Sequence, residues 1–245
     1  MLKQILFKVV PPSLYLKYIR RRSGEYKQMD TGELFSKIYS QRLWGGDPSS
    51  EAFCSGLGTI NPNAAKYITF LKNFLGENHI RSIVEVGCGD FKIMRQVLAD
   101  IPFDSYTGLD VAGNVIAYNQ KKFTTDQIRF ECRNAVTEAI PASDCLIIRQ
   151  VLQHLGNEQI AGILSKAKVF KYVLITEHLP LKVRKYNIDK IQGPDIRLYD
   201  YSGVFIEQPP FSLKNAETVL EYPEDITFMH RNIPAVLRTS LVRRG

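Results

Sequence analysis

From residue 82 to residue 177 the chain alternates short apolar runs with longer stretches in which apolar side chains return every three or four positions. The runs at 82–86, 105–110, 127–131, 144–149 and 171–177 predict strands, being short, apolar and bounded by turn residues. Between them, KIMRQVLAD, AGNVIAYNQKKF and NEQIAGILSKAKVF carry helical spacing. Strands that lack polar alternation are covered on both faces, and strands separated by helices build a parallel sheet. The tail breaks this rhythm. ETVLEY and AVLRTSLVRR have no clear helix between them, which predicts an antiparallel pair closing the sheet. The expected fold is α/β: a doubly wound, mostly parallel, seven-stranded Rossmann-like sheet with helices on both faces and an antiparallel C-terminal edge.

Upstream, GELFSKIYSQRLWGG predicts a helix over about 31–42 that stops at Gly45-Gly46. DPSSEAFCSGLGTINPN is turn-rich, and AAKYITFLKNFLGEN returns to helical period with Tyr67, Phe70, Leu71 and Phe74 on one face. The organisation expected is a leader over 1–30 and a single domain over 31–245, with 31–78 as a helical lead-in and lid and 79–245 as the core.

Charge changes the picture only at the start. The formal net charge is +7, and the leader holds seven lysines and arginines between Lys3 and Lys27 against Glu25 and Asp30. A basic stretch of this kind meets anionic lipid, nucleic acid or an acidic partner, or is simply a solvated helix face. Leucines and aromatics interleave with the cations over residues 1–22, a pattern suited to peripheral contact with a membrane surface. Lys8, Pro11 and Pro12 interrupt the apolar run, and no small-residue cleavage site follows, which argues against a signal peptide. Cys54, Cys88, Cys132 and Cys145 form no CxxC pair and no metal spacing, so free thiols in a reducing cytoplasm are expected.

The chemistry gathers at SIVEVGCGDF, residues 82–91. A strand ending in glycines brings backbone close to a ligand, and in such sheets ligands lie outside the carboxyl ends of the strands. The dinucleotide fingerprint asks for a small residue where Lys92 stands, and Asp90 would repel a pyrophosphate. A cationic cofactor reverses that sign. S-adenosylmethionine carries a sulfonium, an ammonium and a ribose diol but no phosphate, and Asp110, ending the next strand, is placed to accept ribose hydroxyls. Taken alone, the same turn is also a tight packing corner, and Asp110 also a helix cap.

The ordered set VEVGCGD, YTGLDV, FECRNAV, DCLIIRQVLQHL and KYVLITEHLP, over about residues 80–180, resembles the class I S-adenosylmethionine-dependent methyltransferases. The resemblance implies that Glu85, Gly87 and Gly89 line the methionine portion, Asp110 and Val111 hold the ribose, and Asn134 and Ala135 lie by the adenine. The family often has an acid at the third place; an amide there still serves as donor or acceptor. The lead-in F-x-x-I-Y, W-G and S-G-x-G-T is similar to a smaller branch of these enzymes often associated with glycans.

Physically, Ser55 to Thr59 would be a flexible loop able to fold over the cofactor and exclude water, with Ser55 and Gly56 in contact with it. Trp44 and Tyr39 are either lid or core. His154, in RQVLQHL at the fourth strand's tip, is the candidate base for a hydroxyl acceptor, or else a structural residue of that turn. Gln150 and Gln153 are hydrogen-bonding partners there, Gln150 toward the cofactor. Glu177 and His178 are second choices as base. Arg197 either anchors an acidic substrate or pairs on the surface with Asp195 or Asp200. No compact acidic set suggests a metal. The reading favoured is O-methylation of a glycan or small-molecule hydroxyl. The alternatives are an RNA or protein methyltransferase gripping its substrate through the leader, and a non-catalytic scaffold. Against nucleic acid, the sequence holds no recognised RNA module and no N-P-P-Y motif.

Overall fold

A computed structural model describes residues 24–59, 62–228 and 231–244. The leader's first 23 residues, with the predicted membrane-facing segment 1–22, lie outside the described residues.

The five predicted central strands all form: β1 Ser82–Val86, β2 Ser105–Asp110, β3 Ile128–Cys132, β4 Cys145–Arg149 and β5 Tyr172–Pro180. β6 (Ala216–Pro223) and, after a small β7–β8 pair (Ile226–Phe228, Arg231–Ile233), β9 (Ala235–Arg243) complete the set. The main sheet has seven strands in the order β3-β2-β1-β4-β5-β9-β6. β1 to β5 pair in parallel, and β9 lies antiparallel between β5 and β6. β5 runs to Pro180, beyond the expected 177, because β9 pairs with it from Tyr172↔Arg243 to Pro180↔Ala235.

Successive strand residues face opposite sides, and here both sides are dry. Ile83, Cys145, Ile147 and Leu174 pack with α2 (Ala64–Glu77) and α3 (Lys92–Leu98). Val84, Val86, Leu146, Ile148, Val173 and Ile175 pack with α1 (Thr31–Ser40) and α5 (Asn157–Ala167). That is why these strands read as continuous apolar runs. α4 (Gly113–Phe123) splits its apolar stripe, Val115 going to one core and Ile116 to the other.

α1 starts cleanly because Asp30 accepts the amides of Gly32 (2.8 Å) and Glu33 (3.2 Å). It ends at Ser40, short of the expected 42, since Arg42 takes a left-handed conformation (φ 51°). The Arg42 guanidinium instead donates to the carbonyls of Ser50 and Ala52, fastening the turn-rich loop. Among the described residues no helix is long and apolar enough to cross a membrane.

After β3 the chain returns to the far side of β1 to lay down β4. β1 and β4 therefore flank the switch point, where the strand ends part and leave a crevice.

Candidate active site

The crevice encloses about 980 Å³ of space, open solvent at its mouth included. Ser55, Glu85, Gly87, Asp110, Val111, Asn134, Ala135, Gln150 and His154 all line it, as do Tyr39 and Trp44. Nine of the eleven residues that the sequence put forward for the cofactor and the base are therefore in its wall. Gly56 and Gly89 do not line it. Gly56, within the 55–59 loop, has Trp44 Cβ 3.9 Å from where its own Cβ would stand. Gly89 belongs to the turn after β1 and is covered by Ser55 and Tyr39.

The turn after β1 is closed on itself. The amides of Gly87 and Cys88 both donate to Leu109 O (2.7 and 3.0 Å), and Phe91 N–H donates to Cys88 O. Gly89 N–H donates to Asp110 Oδ2 (3.0 Å), and Asp90 N–H to Ser55 Oγ (2.8 Å). Every amide from 87 to 91 is therefore spent inside the protein, and none is left to cradle a phosphate. Gly87 and Gly89 have φ of 72° and 51°, the left-handed region that suits glycine. A Cβ would stand 2.2 Å from Val151 Cγ2 at Gly87 and 2.3 Å from Ser55 Oγ at Gly89.

Asp110 ends β2 with its other oxygen accepting Ala112 N–H (2.9 Å). Burial lifts its carboxyl above the usual range, although these amide bonds pull the other way. Glu85 is 6% exposed and accepts the Tyr106 hydroxyl. Burial pushes it up to about 8, against the pull of Tyr106 and Arg149. Asn119, fully buried on α4, donates to Gly89 O (2.7 Å). The signal for Asn119 was a polar residue four places after Val115 on the buried stripe.

Asp90 turns out to hold the 55–59 loop. Its Oδ2 accepts Ser55 N–H (3.0 Å) and lies 3.1 Å from Lys92 Nζ. Tyr39 Oη meets Ser55 Oγ at 3.0 Å, and Arg149 Nη2 donates to Gly58 O at 2.8 Å. The 55–59 loop is thus pinned to the glycine turn at one end and to the tip of β4 at the other. On the opposite wall, Asn134 Oδ1 accepts Val136 N–H (3.0 Å), which fixes the turn that presents Ala135.

His154 is half-buried in a 3-10 turn (Leu152–His154) just beyond β4, its ring 5.0 Å from that of Trp44. Its Nδ1 lies 3.2 Å from Gly193 O. A carbonyl only accepts, so Nδ1 carries the proton and the Nε2 lone pair accepts the Gln153 side-chain amide at 3.4 Å. Burial, then the charge of Lys190, lowers its pKa to about 3. Trp44 both packs on Phe35 and Tyr39 and lines the crevice, its indole N–H donating to Pro194 O at 3.3 Å.

Glu177 and His178 do not reach the crevice. Glu177 accepts the amides of Leu152 (2.9 Å) and Gln153 (3.2 Å), and burial pushes it up to about 8. His178 Nε2 is bonded to Glu224 O on the other face. Arg197 corrects the sequence more sharply: it is neither on the surface nor free for a substrate, being 3% exposed. It donates to the carbonyls of Ile188, Leu152, Gln153 and Leu155 and to Asn157 Oδ1. Lys190 takes Asp195 instead, at 3.1 Å. Glu177 and Arg197 therefore clamp the His154 turn by its donors and its acceptors. Arg197→Ala should lower stability by about 3–5 kcal/mol in urea denaturation, because buried carbonyls lose a charged donor. A loss below about 1 kcal/mol would mean that the turn holds itself.

No protein-family model matches the chain, and no curated protein matches it in sequence. Solved structures do match in fold. The N-methyltransferase NodS from Bradyrhizobium japonicum WM9, in complex with S-adenosyl-L-homocysteine, aligns over 84% of this chain and 97% of its own, with 12% identity and a TM-score of 0.57. Magnesium protoporphyrin IX methyltransferase (ChlM) from Synechocystis PCC 6803, with bound S-adenosyl-L-homocysteine, aligns over 94% and 99%, with 11% identity and a TM-score of 0.50. The fold is the Rossmann-like methyltransferase fold.

Proposed function

We propose that the protein is an S-adenosylmethionine-dependent methyltransferase whose acceptor is a hydroxyl of a glycan or small molecule. The observation that carries the cofactor is the glycine turn. Its amides are all internally bonded while the carboxylates of Glu85 and Asp110 face the crevice, a wall that repels phosphate and suits a cation with a diol. Glu85 and the Gly87–Gly89 turn would hold the methionine part, Asp110 and Val111 the ribose, Asn134 and Ala135 the adenine. Ser55 and Gln150 close the same wall from the lid side. When bound, S-adenosylmethionine supplies an activated methyl group.

The chain's own work is alignment, exclusion of water and removal of a proton. The lid tied through Ser55 and Gly58 excludes water. His154 is the base, its Nε2 lone pair oriented by the bond from Nδ1 to Gly193. A hydroxyl acceptor is supported by that lone pair at the crevice edge and by the Trp44 ring beside it, a flat face on which a sugar stacks. The neighbour NodS is an N-methyltransferase, so the test reads oxygen and nitrogen alike. All four cysteines are unpaired, in keeping with the cytoplasm.

Calorimetry on the full chain should give saturable binding of S-adenosylmethionine with no heat from NAD. Methyl-labelled cofactor and fractionated cell extracts should then yield a product labelled on oxygen. Absence of cofactor binding would sink the reading, and a label on nitrogen would sink its hydroxyl part.

A further inference from the structure

Half of the buried side-chain polar atoms that lack a hydrogen-bond partner among the described residues lie in one place: Tyr67 Oη, Arg149 Nε and Tyr222 Oη. They come from α2, the tip of β4 and β6, far apart in sequence. The guanidinium of Arg149 stacks over the Tyr67 ring at 4.9 Å, and Tyr222 Oη lies beside it without an aligned bond. Lys66 Nζ, a second cation, stands 5.4 Å over the Tyr222 ring. Arg149 lines the crevice and holds the lid at Gly58. Arg149 Nε can only donate, and each tyrosine hydroxyl can donate as well as accept from the Thr176 or Arg149 side chain beside it, so the cluster still has protons to give to an acceptor from outside the chain.

We infer that Arg149, with Tyr67 and Tyr222, is a recognition subsite for an oxyanion, a carboxylate or phosphate carried by the methyl acceptor. The inference rests on the methyltransferase reading and narrows its substrate to an acidic one. Planar guanidinium groups pair well with both oxyanions. Glu85 and Glu224 both feel the charge of Arg149, but neither forms an ion pair with it. Position favours the acceptor. The strand order places Asp110 on β2 to one side of β1, whereas the cluster spreads from β4 toward β6 on the other side.

The test titrates inorganic phosphate, and separately acetate, into the full chain with and without saturating S-adenosylhomocysteine, read by calorimetry. The expected result is saturable binding that persists in the presence of S-adenosylhomocysteine. It should weaken at least about tenfold in Arg149→Gln and about three- to tenfold in Tyr67→Phe and Tyr222→Phe, each of which removes only a hydroxyl. The stronger response, to phosphate or to acetate, names the acceptor's group. No saturable binding, or binding unchanged in Arg149→Gln, overturns the subsite. Displacement by S-adenosylhomocysteine overturns the acceptor assignment, because the cluster would then read the cofactor's own carboxylate. If S-adenosylhomocysteine itself fails to bind, the methyltransferase reading falls while the anion titration is still decided on its own.

Discussion

Asp110→Asn should lower the affinity for S-adenosylmethionine by about 100-fold or more, with the protein still folded. Each oxygen of Asp110 already accepts one amide, from Gly89 and from Ala112. A diol must therefore use the remaining lone pairs of the same two oxygens. Asparagine offers one oxygen only, and its amide would point donors at donors. Hydrogen bonds to a charged group contribute about 1.5–3 kcal/mol each, so losing two gives a deficit of about 3–6 kcal/mol, and about 1.4 kcal/mol is tenfold in affinity. Stability follows a different course. Burial raises the Asp110 pKa above its ordinary value, so the ionised group opposes folding when the crevice is empty, and removing its charge offsets part of the mismatch with Gly89 and Ala112. Calorimetry alongside urea denaturation separates the two. Unchanged binding in Asp110→Asn would remove the carboxylate from the site.

What the chain announced in advance was whatever one segment decides alone. β1 and β2 were read to the residue because both faces of each are covered and the runs end at Gly87 and Asp110. Glu85, Gly87 and Asp110 follow from the same logic, since strand tips at a switch point must face the crevice. The misses are groups whose role depends on partners far along the chain. Arg197 binds carbonyls more than forty residues away, at Leu152, Gln153 and Leu155, and nothing in GPDIRLYD tells a buried clamp from a surface cation. Asp90 does line the crevice, but its second task, holding Ser55 from 35 residues upstream, could not be read from the turn alone. Arg149 went unread for a related reason: as the last residue of an apolar strand it resembles a solvated end, and only the arrival of Tyr67 and Tyr222 encloses it.

His154→Gln should reduce the rate of transfer by about 10²–10⁴-fold, the usual range for a positioned base, and leave cofactor affinity unchanged. Glutamine is the informative replacement. Its amide can still donate to Gly193 O, so a histidine that merely holds the turn would be rescued, whereas a base would not. The pH profile gives a second readout. Burial and Lys190 lower the His154 pKa to about 3, so the imidazole is neutral throughout the range in which a free one titrates, near 6.5. The rate should accordingly stay flat from pH 5 to pH 8 at saturating cofactor, with no limb near 6.5. Such a weak base still suffices late in the reaction, because a hydroxyl oxygen that has gained a methyl group is a far stronger acid than imidazolium. The linkage has the same origin and a definite sign. Between about pH 6.5 and 3 the unfolded chain binds this proton and the folded one does not, so this contribution to stability falls as the pH is lowered through that window. In His154→Gln that part of the acid sensitivity should vanish along with transfer. A glutamine variant that still transfers methyl groups at the native rate would return His154 to the structural role its turn also allows.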